Sequence, residues 1–106
     1  MIKIQTTYTR PSDTVDWGIS IGWGPQDDAE EINSYFESTY IDTGKQISRK
    51  QWTEGDLIQK FQSKWDSQAS WDQLQADTFI IEKHTAAAIA YMEANGITRT
   101  RVITEI

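Results

Sequence analysis

The chain has 106 residues, enough for one core and too few for two, so a single domain over 1–106 is expected. Ten Lys+Arg against sixteen Asp+Glu give a net charge of −6, which argues against a protein that binds polyanions with its whole surface. Absence of cysteine excludes a disulfide framework or thiolate site, and one histidine excludes a multi-histidine metal centre.

Residues 2–10 alternate, with Ile2, Ile4, Thr6 and Tyr8 on one side and Lys3, Gln5, Thr7 and Thr9 on the other. This predicts a half-buried first strand, closed by Pro11, which has no ladder donor. The next stretch sets Trp17 and Trp23 among Gly18, Gly22 and Gly24, a composition that opposes a regular helix. It reads as a loop that covers one end of the core or offers two aromatic contact residues to a partner.

Asp27 and Glu30 have the spacing of a helix start, and Ala29, Ile32, Tyr35, Phe36, Thr39 and Tyr40 recur at helical intervals up to Asp42. Residues 45–66 read as a β-hairpin turning at Glu54-Gly55. That register sets Trp52 opposite Leu57 and Ser48 opposite Phe61. Trp52, Leu57, Phe61 and Trp65 then share the core face. Ile47, Arg49, Gln51, Ile58, Lys60, Gln62 and Lys64 share the other.

A helical stretch follows Asp66-Ser67, with Ser70 to Gln73 resembling a capping box and Trp71 packing beside the hairpin tryptophans. Asp77 can cap a second start. Residues 79–94 are alanine-rich and apolar on most sides, which predicts a largely buried helix stopped by Gly96. Residues 98–106 form a last strand rich in Thr, Val and Ile. The order strand, helix, strand, strand, helix, strand predicts an α+β ferredoxin-like sandwich: a four-stranded antiparallel sheet with helices on one face. Strands one and three belong at its centre, and the hairpin's first strand at an edge.

Charge is uneven: −6 over 1–44, +3 over 45–64 and −3 over 65–106. The basic hairpin reads as solvated strand faces whose lysines guard an edge. Nucleic acid is not an expected partner, because the face with Arg49, Lys60 and Lys64 carries no stacking aromatic in this register. No run is long and apolar enough to span a membrane, and no signal-peptide core is present, so the expected location is cytoplasmic. No phosphate loop, dinucleotide fingerprint or nucleophile elbow occurs, and neither a cofactor nor a metal is expected.

Segment 65–84 resembles the antibiotic-biosynthesis-monooxygenase group of dimeric α/β-barrel proteins. Trp65 and Ser67 match its aromatic and serine at the end of the third strand. Leu74, Asp77 and Phe79 match the leucine, aspartate and phenylalanine that follow. The resemblance implies a ferredoxin-like fold, a homodimer and cofactor-independent oxygenation. The haem-degrading branch would place an asparagine near Thr6 or Thr7, a tryptophan near Gln73 and a histidine near Lys83 or His84. At most one of the three is kept, so haem degradation is not expected. Segment 6–17 also resembles small proteins of tailed phages that infect cyanobacteria.

The lone His84 and the lack of a catalytic triad favour a non-catalytic accessory or interaction protein, with Trp17 and Trp23 as its contact residues. The alternative is a small-aromatic-ligand-binding protein or a cofactor-independent monooxygenase-like enzyme. Its pocket would be lined by Tyr8, Phe61, Trp65 and Phe79, with His84 or Tyr8 orienting the ligand or moving a proton. The first reading carries a packing expectation: Phe61 and Trp65 close against Phe79 and Ala86, Ala87, Ala88 and Ala90 and leave no pocket.

Overall fold

The computed structural model describes residues 1–23 and 28–106. Four antiparallel strands form one sheet in the order β2-β3-β1-β4. They are β1 (Ile2–Thr9), β2 (Gln46–Glu54), β3 (Ile58–Trp65) and β4 (Thr98–Glu105). Helix α1 (Ala29–Phe36) runs on into a π turn at Glu37–Ile41. Helices α2 (Gln68–Gln75) and α3 (Thr78–Ile80) lead through a second π turn, Ile81–Thr85, into α4 (Ala86–Asn95). The α+β ferredoxin-like expectation holds, and β1 and β3 are the central strands. Asp27, expected to cap the first helix, lies outside the described residues.

β1 keeps its predicted phase, with Ile2, Ile4 and Thr6 buried. It is paired along its whole length, from Ile2 opposite Trp65 to Thr9 opposite Ile58 on one side, and from Ile2 opposite Glu105 to Thr9 opposite Thr98 on the other. The core gathers at the Ile2 end of this sheet. Trp65 is fully buried, its ring 5.8 Å from Tyr40 and 5.6 Å from Trp71, both at steep interplanar angles. Such edge-to-face pairs are favoured by the ring quadrupole. The Trp65 Nε1–H donates to Ser63 Oγ at 2.9 Å, so the buried indole is satisfied by its own strand.

The hairpin departs from its predicted register. Glu54 pairs with Ile58, leaving a three-residue loop, Gly55-Asp56-Leu57, with Gly55 at φ +72°. Trp52 faces Lys60, not Leu57, and Ser48 faces Lys64, not Phe61. A bulge at Ile47, between Gln46 and Ser48, shifts the pairing by one residue. The longer loop moves residues 48–54 by three positions against the predicted pairing, and because side chains alternate along a strand this odd shift reverses the faces of β2, while the bulge brings only Gln46 back opposite Trp65. Trp52 turns to the outer face and Arg49 comes to the helix side, opposite Ser63. Leu57 is an exposed loop residue.

Asp77 ties α1 and the π turn after it to the start of α3. Its Oδ1 accepts from the Phe79 and Ile80 amides, capping α3, while its Oδ2 accepts from Tyr35 at 2.8 Å and Tyr40 at 2.5 Å. Partial burial pushes the carboxyl pKa up, but these four hydrogen bonds, led by Tyr40 and Tyr35, outweigh it and hold the group below the usual range. The start of α2 is capped by Ser67, which accepts from the Ser70 amide, and not by Ser70 as the pattern suggested.

The alanine-rich helix is not largely buried. Only Ala88 and Met92 of α4 are, on one i,i+4 row. Alanine supplies helix propensity but little apolar surface, so composition overstated the burial. Gly96 ends the helix at φ +69° as expected.

Candidate functional site

The core does not fill the space between sheet and helices. A partly open cavity of about 270 Å³ lies there. The filled-core expectation is therefore corrected, and the reason is local. Phe79 turns away to stack on Tyr35, with centroids 4.2 Å apart, and does not line the cavity. Trp65 closes on Phe36, Tyr40 and Trp71 at one end. Toward the Tyr8 end of the sheet, α4 offers Ala88, too small to reach across.

β1 and β3 supply the cavity wall on the sheet side. Thr6, Tyr8, Phe61 and Ser63 alternate inward, with Thr6 directly opposite Phe61. Trp65 and Trp71 close the deep end. The helical side is Ile80, His84, Thr85 and Ala88. His84 and Thr85 stand in the π turn, a rare helical form frequent at functional sites.

Trp23 completes the wall. Its ring meets Phe36 at 5.3 Å and the His84 imidazole at 5.1 Å, edge-on, and its Nε1–H donates to Asn33 Oδ1 at 3.3 Å. Trp17 lies elsewhere, half-buried beneath the Arg10 guanidinium, which sits 4.9 Å from its ring centre. Of the residues singled out in the sequence, then, Tyr8, Phe61, Trp65, Trp23 and His84 come together in one cavity, whereas Phe79 and Trp17 do not.

The electrostatics are one-sided. Arg49, Arg99 and Arg101 line the cavity, and among the described residues no aspartate or glutamate does so. Arg99 and Arg101 occupy alternate positions of β4, opposite Tyr8 and Thr6. Arg101 donates from Nε to Thr6 Oγ1 at 3.4 Å and lies 5.3 Å from the Trp71 ring centre. Partial loss of water and the charge of Arg99 lower its pKa, offset in part by Tyr8. An arginine so placed stays charged. Burial and, secondly, the Arg99 charge lower the His84 pKa, so its imidazole is neutral at pH 7.

Sequence reasoning missed these arginines for two reasons. Arg49 was assigned to the outer face because the turn was read as the two residues Glu54-Gly55, and the three-residue loop reverses the phase of β2. Arg99 and Arg101 carried a signal, a Thr-Arg-Thr-Arg alternation in the last strand, that puts both on one side of the sheet. Among the described residues no group of acidic, histidine or cysteine side chains can hold a metal.

No family profile matches the sequence, and no curated protein matches it either. Solved structures do. The cofactor-independent oxygenase SnoaB of Streptomyces nogalater, solved as a point mutant, aligns with a TM-score of 0.60 at 7% identity, over 99% of this chain and 91% of its own. An antibiotic biosynthesis monooxygenase aligns with a TM-score of 0.58 at 12% identity, over 100% and 98%. A dimeric ferredoxin-like protein from an uncultured marine organism gives 0.57 at 10% identity, over 100% and 94%. The chain has the antibiotic-biosynthesis-monooxygenase-like, dimeric ferredoxin-like fold. Identities this low establish the fold alone. They lend no support to the likeness of segment 6–17 to phage proteins.

Proposed function

We propose that this protein binds a small aromatic molecule in the cavity between its sheet and helices, in the manner of a ligand-binding or cofactor-independent oxygenase-type protein. One observation carries the reading: a 270 Å³ space walled by Phe36, Phe61, Trp23, Trp65 and Trp71, where close packing was expected. An apolar cavity of about 150 Å³ already takes up benzene. This one suits one or two fused rings and falls at the low end for drug-sized ligands. The accessory-protein reading is weaker, because Trp23, one of its two contact residues, is spent on the cavity wall.

Tyr8 and His84 give the cavity a hydroxyl and a neutral imidazole, the groups that orient a phenolic ligand or accept its proton. The fold's likeness to oxygenases supports turnover of an electron-rich ligand. Titrating the protein with naphthalene-ring compounds while following tryptophan fluorescence checks the binding. A saturable change is expected, abolished by Ala88→Leu, which fills the space. No saturable change with any one- or two-ring aromatic overturns the reading. Oxygen uptake on mixing with a bound phenol separates an enzyme from a binding protein.

A further inference from the structure

We propose that the cavity selects an aromatic ligand bearing an oxyanion, a carboxylate on a one- or two-ring system, and that Arg99 and Arg101 of β4, with Arg49 of β2, hold that anion. This rests on the aromatic-ligand reading above and specifies its substrate class.

Three facts converge on it. First, a chain of net charge −6 places three of its ten basic residues around one cavity. Second, among the described residues no carboxylate lines that cavity to neutralise them. Among the described residues the ion pairs lie elsewhere, at Lys60–Glu54 and Lys83–Asp28. Clustered like charges repel, and a fold that keeps them together without a counter-charge gains when an anion arrives. Third, the guanidinium groups are braced. Arg101 lies against Trp71 and Thr6, and Arg49 lies 5.8 Å from the Phe36 ring centre. These contacts use ring faces and, at Arg101, hydrogen bonds to the Thr6 and Tyr8 hydroxyls, and a guanidinium carries five donors in a planar fork. The remaining donors suit a bidentate carboxylate.

The geometry also orients the ligand. The aromatic wall is deepest at Trp65 and Trp71, which are buried, while Arg49 and Arg101 are exposed at the cavity's margin. The two arginine groups flank the central strands from β2 and β4, three strand spacings or about 14 Å apart at the backbone. A bound ring therefore enters first, and its carboxylate remains near the arginines. Arg99 sits two residues from Arg101 on the same face, opposite Tyr8, where a second carboxylate oxygen can be met.

The test compares 2-naphthoate with its neutral counterpart 2-naphthamide by calorimetry and tryptophan quenching, in the wild type and in Arg99→Gln, Arg101→Gln and the double variant. The wild type is expected to bind the acid at least about tenfold more tightly, as charge-assisted hydrogen bonds imply. That preference should weaken as salt rises. In the double variant it should fall below about threefold, as expected once the charge-assisted donors are gone, while the amide still binds saturably. Retained amide binding also reports that the variant is folded, and the wild-type comparison needs no variant. Equal affinity for acid and amide overturns the inference and leaves the aromatic-ligand reading standing. A preference that survives every arginine substitution removes the anion from these residues and overturns it as well. Binding of neither compound overturns both.

Discussion

Trp65 has no exposed surface and touches three other aromatic rings. Truncating it to alanine should cost about 3–5 kcal/mol in denaturant unfolding, as for other large buried side chains. His84→Ala should cost far less, because the half-buried ring stands at the edge of a cavity with room for rearrangement. Asp77 gives a pH signature. Its pKa is lower in the folded chain, so its stabilisation is complete above the unfolded value near 3.8 and is lost as pH falls through the folded value. Asp77→Asn should destabilise by about 1–3 kcal/mol at neutral pH. It should also flatten the acid limb of the stability curve. An Asn variant with an unchanged acid limb would remove Asp77 from that role. The residue pattern showed Asp77 as a helix cap, but it hid the two tyrosines. Tyr35 and Tyr40 are five apart, and only the π turn and the crossing of the layers bring both hydroxyls to one oxygen.

At the scale of the element, the segment between β1 and α1 decides how the cavity is closed. Gly18 has φ +53°, and a Cβ built there would meet the Tyr91 ring at 2.4 Å. Tyr91 in turn donates to the Asp16 carbonyl at 2.6 Å, tying this segment to α4. Gly18→Ala therefore meets both a left-handed backbone and a steric block. It should destabilise by about 1–3 kcal/mol and loosen the Trp23 wall, lowering affinity for an aromatic ligand. A variant as stable as the wild type by thermal unfolding would show that the segment is free to move aside. The three-residue loop Gly55-Asp56-Leu57 matters as much, since the register it sets places Arg49 opposite Ser63 on the cavity side. Strand, helix and turn positions were legible because periodicity and punctuation are local properties. The length of the hairpin loop is settled by how the two strands pair, so β2 was read with its faces exchanged.

The sheet has two unlike edges. β2 is broken by its bulge and carries Arg49 and Lys50, which blunts an edge against further pairing. β4 is regular from Thr98 to Glu105 and leaves Val102 63% exposed and Ile103 47% exposed. A regular, unpaired edge with exposed apolar residues predicts self-association through β4. Sedimentation should give about twice 12.2 kDa for the wild type, and Val102→Lys should shift it toward the single-chain mass. A wild type that stays at the single-chain mass at high concentration would refute the dimer. Among the described residues no helix is long and apolar enough to cross a membrane. The order of strands and helices, the inward row Ile2, Ile4, Thr6 and Tyr8, and the aromatic cluster around Trp65 were set by the sequence itself. Each follows from a short-range alternation or a strong preference for burial. The cavity, the turning of Phe79 onto Tyr35, and the placing of Arg49, Arg99 and Arg101 around one cavity were decided by the tertiary structure. They depend on how far one layer stands from another and on which strand neighbours which, and residues 50 positions apart in the chain carry no local record of that distance.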